Sequence, residues 1–241
     1  MQELAVIASR VLTTQRQFTV TADNIANANT QGFRKLELEF RESISRPRAH
    51  ATASYVEDRA VHVSTMPGAM LATSSPLDAA ISGDGFFAID VEGTTHYTRR
   101  GQFLINPEGT LVTPEGYPVL DNAGAQIQFP QGITQIRMAN DGTISTEQGQ
   151  LGQLGVFNFS AEDVKKLERA GNTGFVPMLG AAARPVENPL LKQGFLEGSN
   201  VNAVTEMVNM QAVTQAYTNS VKLMKGLEDL ESRAIRSLGA Q

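Results

Sequence analysis

The sequence predicts an α+β chain in which two terminal helices flank a central all-β domain, a sandwich or an open barrel. Three observations predict it. Helix breakers avoid both ends: all 10 prolines lie between Pro47 and Pro189, and 19 of the 21 glycines between Gly32 and Gly198. Apolar residues at the ends recur at helical spacing, whereas those of the middle fall in short strand-like runs. Turn signals separate these runs. The expected organisation is a discontinuous helical domain of residues 1–35 and 199–241, a connector over 36–75 and a β domain over 76–198.

At the N-terminal end Leu4, Val11, Phe18 and Ile25 recur every seven residues, and Ile7, Thr14, Thr21 and Ala28 stand three further on. This is an a/d seam whose d residues are small. The stretch DNIANANTQGF (23–33) then crowds Asn24, Asn27 and Asn29 together. Asparagine is a poor helix former, because its amide competes for nearby backbone groups. Gly32 suits a left-handed position that ends the helix.

At the C-terminal end Met207, Met210, Thr214, Tyr217, Val221 and Met224 keep the alternating three-four spacing, and Leu227, Leu230 and Ala234 extend the stripe. Ser199 or Asn200 is expected as its cap, with Asn202 facing the asparagine cluster. Narrow seams do not hold helices alone in water. Two arrangements are open: a hairpin packed on the central domain, or helices that pair with each other and with other subunits. The flanking Gln15, Gln17, Asn24, Asn27, Asn209, Gln211, Gln215 and Asn219 favour the second. Uncharged amides bond across crowded contacts without the desolvation penalty of a charge.

The middle reads as β. Runs rich in β-branched and aromatic residues stand at 85–91, 95–99, 102–106, 110–113, 117–120, 126–129, 133–138, 143–146 and 154–159. Asn106-Pro107-Glu108-Gly109, Thr113-Pro114-Glu115-Gly116, Asp121-Asn122-Ala123-Gly124 and Asn140-Asp141-Gly142 separate them as turns. Such spacing predicts antiparallel pairing. One helix is expected at 161–169, with Ser160 as N-cap and Asp163 three residues on. Residues 36–75 mix charge with small residues in a weak pattern. They are expected as a partly extended connector, with strand at 55–64.

Composition excludes several functions. The 241 residues carry a net charge of −5, from 20 Lys and Arg against 25 Asp and Glu. Residues 1–35 hold +2 and 199–241 hold 0, so the middle holds −7. That is no basic face for nucleic acid. There is no cysteine, hence no disulfide and no thiolate metal site. No run approaches the ~20 apolar residues that span a bilayer. The start differs from a secretory signal, since Glu3 precedes any cation and Arg10 interrupts a short apolar run. The expected location is the cytoplasm, or export with the N-terminus uncut.

Catalytic patterns are missing too. His50, His62 and His96 have no partner at ligand spacing. SGDGFF (82–87) precedes a strand, where a phosphate loop precedes a helix. Asn140-Asp141-Gly142 with Glu147 is too short for a calcium loop and reads as a hairpin turn. Asp78 and Asp84 alone define no carboxylate pair. Neither a catalytic set nor a metal or cofactor site is expected.

DNIANANTQGFRK (23–35) resembles the N-terminal signature of flagellar basal-body rod and hook proteins. LDAAISGDGFFAI (77–89), YTRRGQFLINPEGTLVTPEGYPVL (97–120) and GFLEGSNVNAVTEMVNMQAVTQAY (194–217) resemble further blocks of that family, in the same order. PEGTLVTPEGYPVL, NDGTIS and LEGSNVNAV are most similar to the proximal-rod branch; the alternatives are the distal rod and the hook. The family's Arg-Ala-Tyr-Glu run reads Gln215-Ala216-Tyr217-Thr218 here, so an ion pair between that Arg and Glu is absent.

The resemblance implies an antiparallel coiled coil of the terminal helices in the core of a hollow rod, with the β domain outside. It implies helical self-association, contact with neighbouring rod proteins, and torque transmission across the periplasm. It also implies passage through the flagellar export apparatus as an unfolded chain without signal cleavage. No enzyme activity, cofactor, nucleic acid or direct membrane insertion belongs to that picture. Its subunit contacts fall to Leu4, Val11, Phe18, Asn24, Ile25, Asn27, Asn29, Asn200, Asn202, Met207, Met210, Tyr217, Val221 and Met224. A periplasmic cell-wall hydrolase and a monomeric adhesin are the readings from other classes. The first needs a catalytic set, and the second needs termini that are well ordered in the free monomer.

Overall fold

The computed structural model describes residues 2–45, 53–133, 135–171 and 173–238. In chain order the elements are α1 (Gln2–Ala26), β1 (Leu36–Ser45), β2 (Ala53–Val63), β3 (Met70–Ala72), β4 (Ala79–Ile81), β5 (Phe86–Val91), β6 (Thr94–Thr98), β7 (Leu104–Ile105), β8 (Leu111–Val112), β9 (Ile136–Met138), β10 (Thr143–Thr146), β11 (Gly149–Gln153), β12 (Val156–Asn158), α2 (Ala161–Val164), β13 (Leu167–Ala170), β14 (Gly174–Pro177), β15 (Arg184–Pro185), β16 (Leu191–Gln193), β17 (Phe195–Glu197) and α3 (Ala203–Leu238). They divide into two compact units: Met1–Ala26, Leu36–Val61 and Asn202–Gln241 form the first, Asn27–Lys35 and His62–Val201 the second. Helical ends thus flank a mostly β centre, which forms no closed barrel among the described residues.

The first unit is built on α1 and α3, of 25 and 36 residues. Their length follows from the missing breakers. α1 has no glycine or proline, and Gly226 inside α3 faces open space. A solvent-facing glycine costs about 1 kcal/mol relative to alanine and leaves the helix unbroken. At 1.5 Å per residue α3 spans about 54 Å.

The two helices pack against each other. Small and polar residues are the buried ones: Thr14 and Thr21 on α1, Glu206, Val213 and Ser220 on α3. Hydroxyls among them return to carbonyls of their own helix. Thr14 Oγ1 donates to Arg10 O and Thr21 Oγ1 to Gln17 O, both at 2.8 Å, and Ser220 Oγ to Ala216 O at 2.9 Å. A hydroxyl satisfied this way needs no partner on the other helix, so small side chains can bring the backbones close. Within the stretch expected as a connector, β1 and β2 pair as a two-stranded sheet.

In the second unit an antiparallel sheet of six strands has the order β13-β14-β6-β5-β12-β15. Phe86, Phe87, Ala88 and Ile89 of β5 are all buried, so both faces of the sheet are covered. Phe87 turns to one face, edge-on to Phe103 with centroids 5.3 Å apart. Phe86 turns to the other, edge-on to Phe159 and Phe175 at 5.8 and 5.7 Å. Phe87 and Phe103 share their core with Leu111, Val119, Ile144, Leu154, Val156 and Leu191. Each such side chain contributes roughly 1.5–3 kcal/mol by leaving water. Smaller ladders complete the unit: β11-β10-β9, β16-β4, β17-β3 and β7-β8.

Two local expectations are corrected here. The runs at 117–120 and 126–129 make isolated bridges instead of strands, Val112↔Pro118, Ile89↔Val119, Leu120↔Gln126 and Thr110↔Gln128. Pro118 has no N–H to give a ladder. The helix expected at 161–169 stops at Val164. Ser160 does cap it, its Oγ accepting from the Asp163 N–H at 3.1 Å and donating to Asp163 Oδ2 at 2.8 Å. Leu167–Ala170 then forms β13, paired with β14 from Leu167↔Pro177 to Ala170↔Gly174. Sheet pairing overrides the helical propensity of Lys165-Lys166-Leu167-Glu168-Arg169-Ala170. Asn140-Asp141-Gly142 is a hairpin turn between β9 and β10, with the Thr143 N–H on Asp141 Oδ1 at 2.9 Å.

Candidate functional site

In the first unit the large apolar residues of the expected seam stand off the buried line. Phe18 is 44% exposed, Tyr217 40% and Met207 56%. Val11, Ile25, Met210, Val221 and Met224 are half-buried. Leu4 lies in α1 with its side chain outside the described set. Leu12, Val204, Val208, Leu223 and Leu230 add further exposed apolar surface to the two helices. Heptad spacing assigned the large residues to the seam; within one chain the small ones occupy it.

Asn24 serves its own chain. It is 1% exposed; its Nδ2 donates to Leu36 O at 3.0 Å, and its Oδ1 accepts from the Leu36 N–H at 2.9 Å. One amide thus supplies both bonds that a strand partner would give to Leu36, where β1 begins. Asn24→Ala is expected to destabilise the protein by about 2 kcal/mol, since it strands a backbone donor and acceptor together. Chemical denaturation reads this, and an unaltered midpoint would contradict it.

The N-cap of α3 is Asn202, in place of the expected Ser199 or Asn200. Its Oδ1 accepts from the Thr205 N–H at 3.1 Å, and its carbonyl from the Glu206 N–H at 3.0 Å. Ser199 Oγ instead accepts from the Val201 N–H at 3.2 Å. Asn202→Ala is expected to cost about 1 kcal/mol, seen as a small fall in the thermal midpoint of the helical signal. Retention of the full midpoint would assign the cap elsewhere.

In the second unit, Asn27 opens a turn. Its carbonyl accepts from the Thr30 N–H and its Oδ1 from Thr30 Oγ1, both at 3.1 Å. Asn29 is exposed. Asn200 ties three segments: Oδ1 accepts from the Lys35 N–H at 2.6 Å, Nδ2 donates to Met66 O at 2.7 Å, and its N–H to Phe33 O at 3.4 Å. Gly32 has a left-handed φ of 70°, but α1 has already ended at Ala26, so it does not cap that helix. Its N–H donates to Glu197 O at 2.7 Å, and an added Cβ would lie 2.3 Å from Arg100 N. Close backbone approach selects glycine there.

Beside these segments lies a cluster that the sequence reading missed. Arg34, Arg99 and Glu197 are only 2–3% exposed. Arg34 Nη2 stands 2.8 Å from Glu197 Oε1, and Arg99 Nη1 3.1 Å from Oε2. The Gly68 N–H donates to Oε1 at 2.9 Å. Arg34 Nη1 donates to Thr65 O at 2.7 Å and also to Met66 O. Arg99 Nη2 donates to Gly83 O at 2.6 Å. Burial pulls the Arg99 guanidinium down to about 10; the like charge of Arg34 adds to this, and Glu197 and Asp84 oppose it. Burial lowers Arg34 as well. The only signal in the sequence is a charge inside otherwise apolar or glycine-rich wording: Gly32-Phe33-Arg34, Arg99-Arg100-Gly101 and Leu196-Glu197-Gly198.

Among the described residues no three His, Asp or Glu side chains gather as a metal site. His96 is held below its usual range by burial. His50 lies outside the described residues. No helix among them is long and apolar enough to cross a membrane.

Three family models match the chain. Residues 4–34 match the flagella basal body rod protein, 80–146 the D1 domain of the flagellar hook protein FlgE/F/G, and 192–237 the C-terminal region of the flagellar basal body rod FlgEFG protein. The chain is similar to the flagellar basal-body rod protein FlgF of Rhizobium meliloti (strain 1021), at 38% identity over 98% of this chain and 97% of that one. To FlgF of Caulobacter vibrioides it is 34% identical over 96% and 95%. To the flagellar basal-body rod protein FlgG of Bacillus subtilis (strain 168) it is 30% identical over 90% and 91%.

Proposed function

The chain belongs to the flagellar basal-body rod protein family, and from that premise we propose that it builds the proximal rod by helical self-association through α1 and α3. It is a structural subunit of the flagellar basal body, most like the FlgF relatives, and not an enzyme. The apolar surface left on both helices carries the assembly reading. Surface of this extent is uncommon on a chain that works alone, and burial against neighbours removes it from water.

In the rod, α1 and α3 form an antiparallel coiled coil, and neighbouring copies cover its outer faces. Val11, Phe18 and Ile25 contribute from α1, and Met207, Met210, Tyr217, Val221 and Met224 from α3, with Leu4 continuing the α1 line. Asn29 offers an exposed amide to a neighbour. The charge division supports this arrangement: the ends carry +2 and 0, and the middle −7. Nearly neutral ends crowd together with little self-repulsion, while an acidic exterior keeps the polymer soluble. The assembled rod transmits torque and encloses an export channel. Subunits reach its tip through the flagellar export apparatus as unfolded chains, a route that suits a sequence without cysteine. Other rod proteins of the basal body flank it.

Deletion with complementation tests the reading. Basal bodies from the deletion strain are expected to end at the proximal rod and to regain full length with the restored chain. Full-length basal bodies without it would overturn the assignment. Soluble fragments released from peptidoglycan by the purified protein would support a hydrolase instead.

A further inference from the structure

The Arg34–Glu197–Arg99 cluster is not neutral: two buried guanidinium ions share one buried carboxylate. The further acid that attracts both arginines, Asp84, is exposed, and water screens it. The Nη groups are engaged with Glu197 and with backbone carbonyls. The Nε atoms of both arginines are buried without a hydrogen-bond partner. An orphaned buried donor is uncommon, and two on adjacent like charges point to a missing acceptor. Both arginines line one cavity of about 240 Å³, together with Asp84, Phe86, Asn158 and Phe159.

We propose that this cavity binds a single carboxylate group, held between the Nε–H groups of Arg34 and Arg99. One negative charge cancels the one surplus positive charge of the cluster. Two coplanar oxygens suit two N–H donors on separate guanidinium groups. Phosphate, with nearly two charges, exceeds the surplus and meets repulsion from Asp84 at the rim. The phenyl rings of Phe86 and Phe159 suit a short aliphatic stem behind the carboxylate. The group arrives on a small free acid or on the Asp or Glu side chain of another copy, whose middle carries surplus acid. This inference does not rest on the rod reading.

The test follows the arginine Nε–H resonances of the full chain by heteronuclear NMR while sodium propionate is added at constant ionic strength. Two buried Nε–H signals are expected to move together and saturate below about 0.1 M, where the Debye length is still about 10 Å. Asp84→Asn removes an opposing charge at the exposed rim, so propionate is expected to bind on the order of threefold more tightly. Shifts that need propionate assign a small acid. The same shifts produced by raising the protein concentration alone assign a neighbour's side chain. Either supports the site. Unmoved signals, equal movement with chloride, or saturation by phosphate but not propionate would overturn it. So would an affinity unchanged in Asp84→Asn.

Discussion

Replacing Glu197 by Gln is expected to lower the thermal midpoint by about 10 °C, the scale of 3–5 kcal/mol in a chain of this length. The amide has the shape of the carboxylate and keeps an oxygen for the Gly68 N–H. It loses the charge that stands between Arg34 and Arg99, at 2.8 and 3.1 Å from their Nη atoms. Two buried guanidinium ions then face each other without a counter-ion, and neither can shed its proton readily near neutral pH. A surface pair sets the contrast. Arg100 bridges Glu115, whose side chain is 47% exposed. Glu115→Gln is expected to change stability by less than about 1 kcal/mol, and added salt should erase even that. Salt leaves the Glu197→Gln defect in place, because the cluster is out of solvent. Melting curves of both variants, at low and high salt, separate the cases. A Glu197→Gln midpoint equal to the parent's would mean that the cluster holds nothing together.

The sequence displayed the helices because their signal is local. Breaker-free ends with apolar spacing need no knowledge of the rest of the chain. It displayed β5 and β6 for the same reason, since phenylalanine-rich wording beside a Glu92-Gly93 turn is self-contained. What it hid depends on distant pairing. Leu167–Ala170 has helical wording, yet it lies beside β14 and becomes a strand. Heptad spacing marks which residues are large and apolar, but not which face a single chain buries. The buried line therefore runs through Thr14, Thr21, Val213 and Ser220, beside the predicted stripe. The asparagines divide on the same principle. Asn24 closes on Leu36 and Asn202 caps α3, both within one chain, whereas Asn29 is exposed. Arg34, Arg99 and Glu197 were least legible of all, because their meeting joins positions 34, 99 and 197, which no local pattern relates.

Tyr217→Asp is expected to leave the monomer folded and to stop the rod. In the single chain Tyr217 is 40% exposed and lies off the buried line of α3. Aspartate there meets water, so the monomer should lose no more than about 0.5 kcal/mol, the difference in helix propensity and surface contact. In the assembly the ring is covered by a neighbouring helix, and a carboxylate in its place has no counter-ion. That costs several kcal/mol per subunit as an order of magnitude. Each added copy meets the same penalty, so elongation fails where a lone binding event would merely weaken. Phe18→Asp, on the 44%-exposed ring of α1, is expected to act in the same way. Tyr217→Phe keeps the ring and is expected to support motility, which separates loss of apolar contact from loss of the hydroxyl. Thermal melting of purified protein and motility of complemented cells are the paired measurements. Motile Tyr217→Asp cells would remove this residue from the interface. A monomer melting several degrees lower would instead show that the ring belongs to the packing of its own chain, and the apolar surface of α3 would then need a different explanation from assembly.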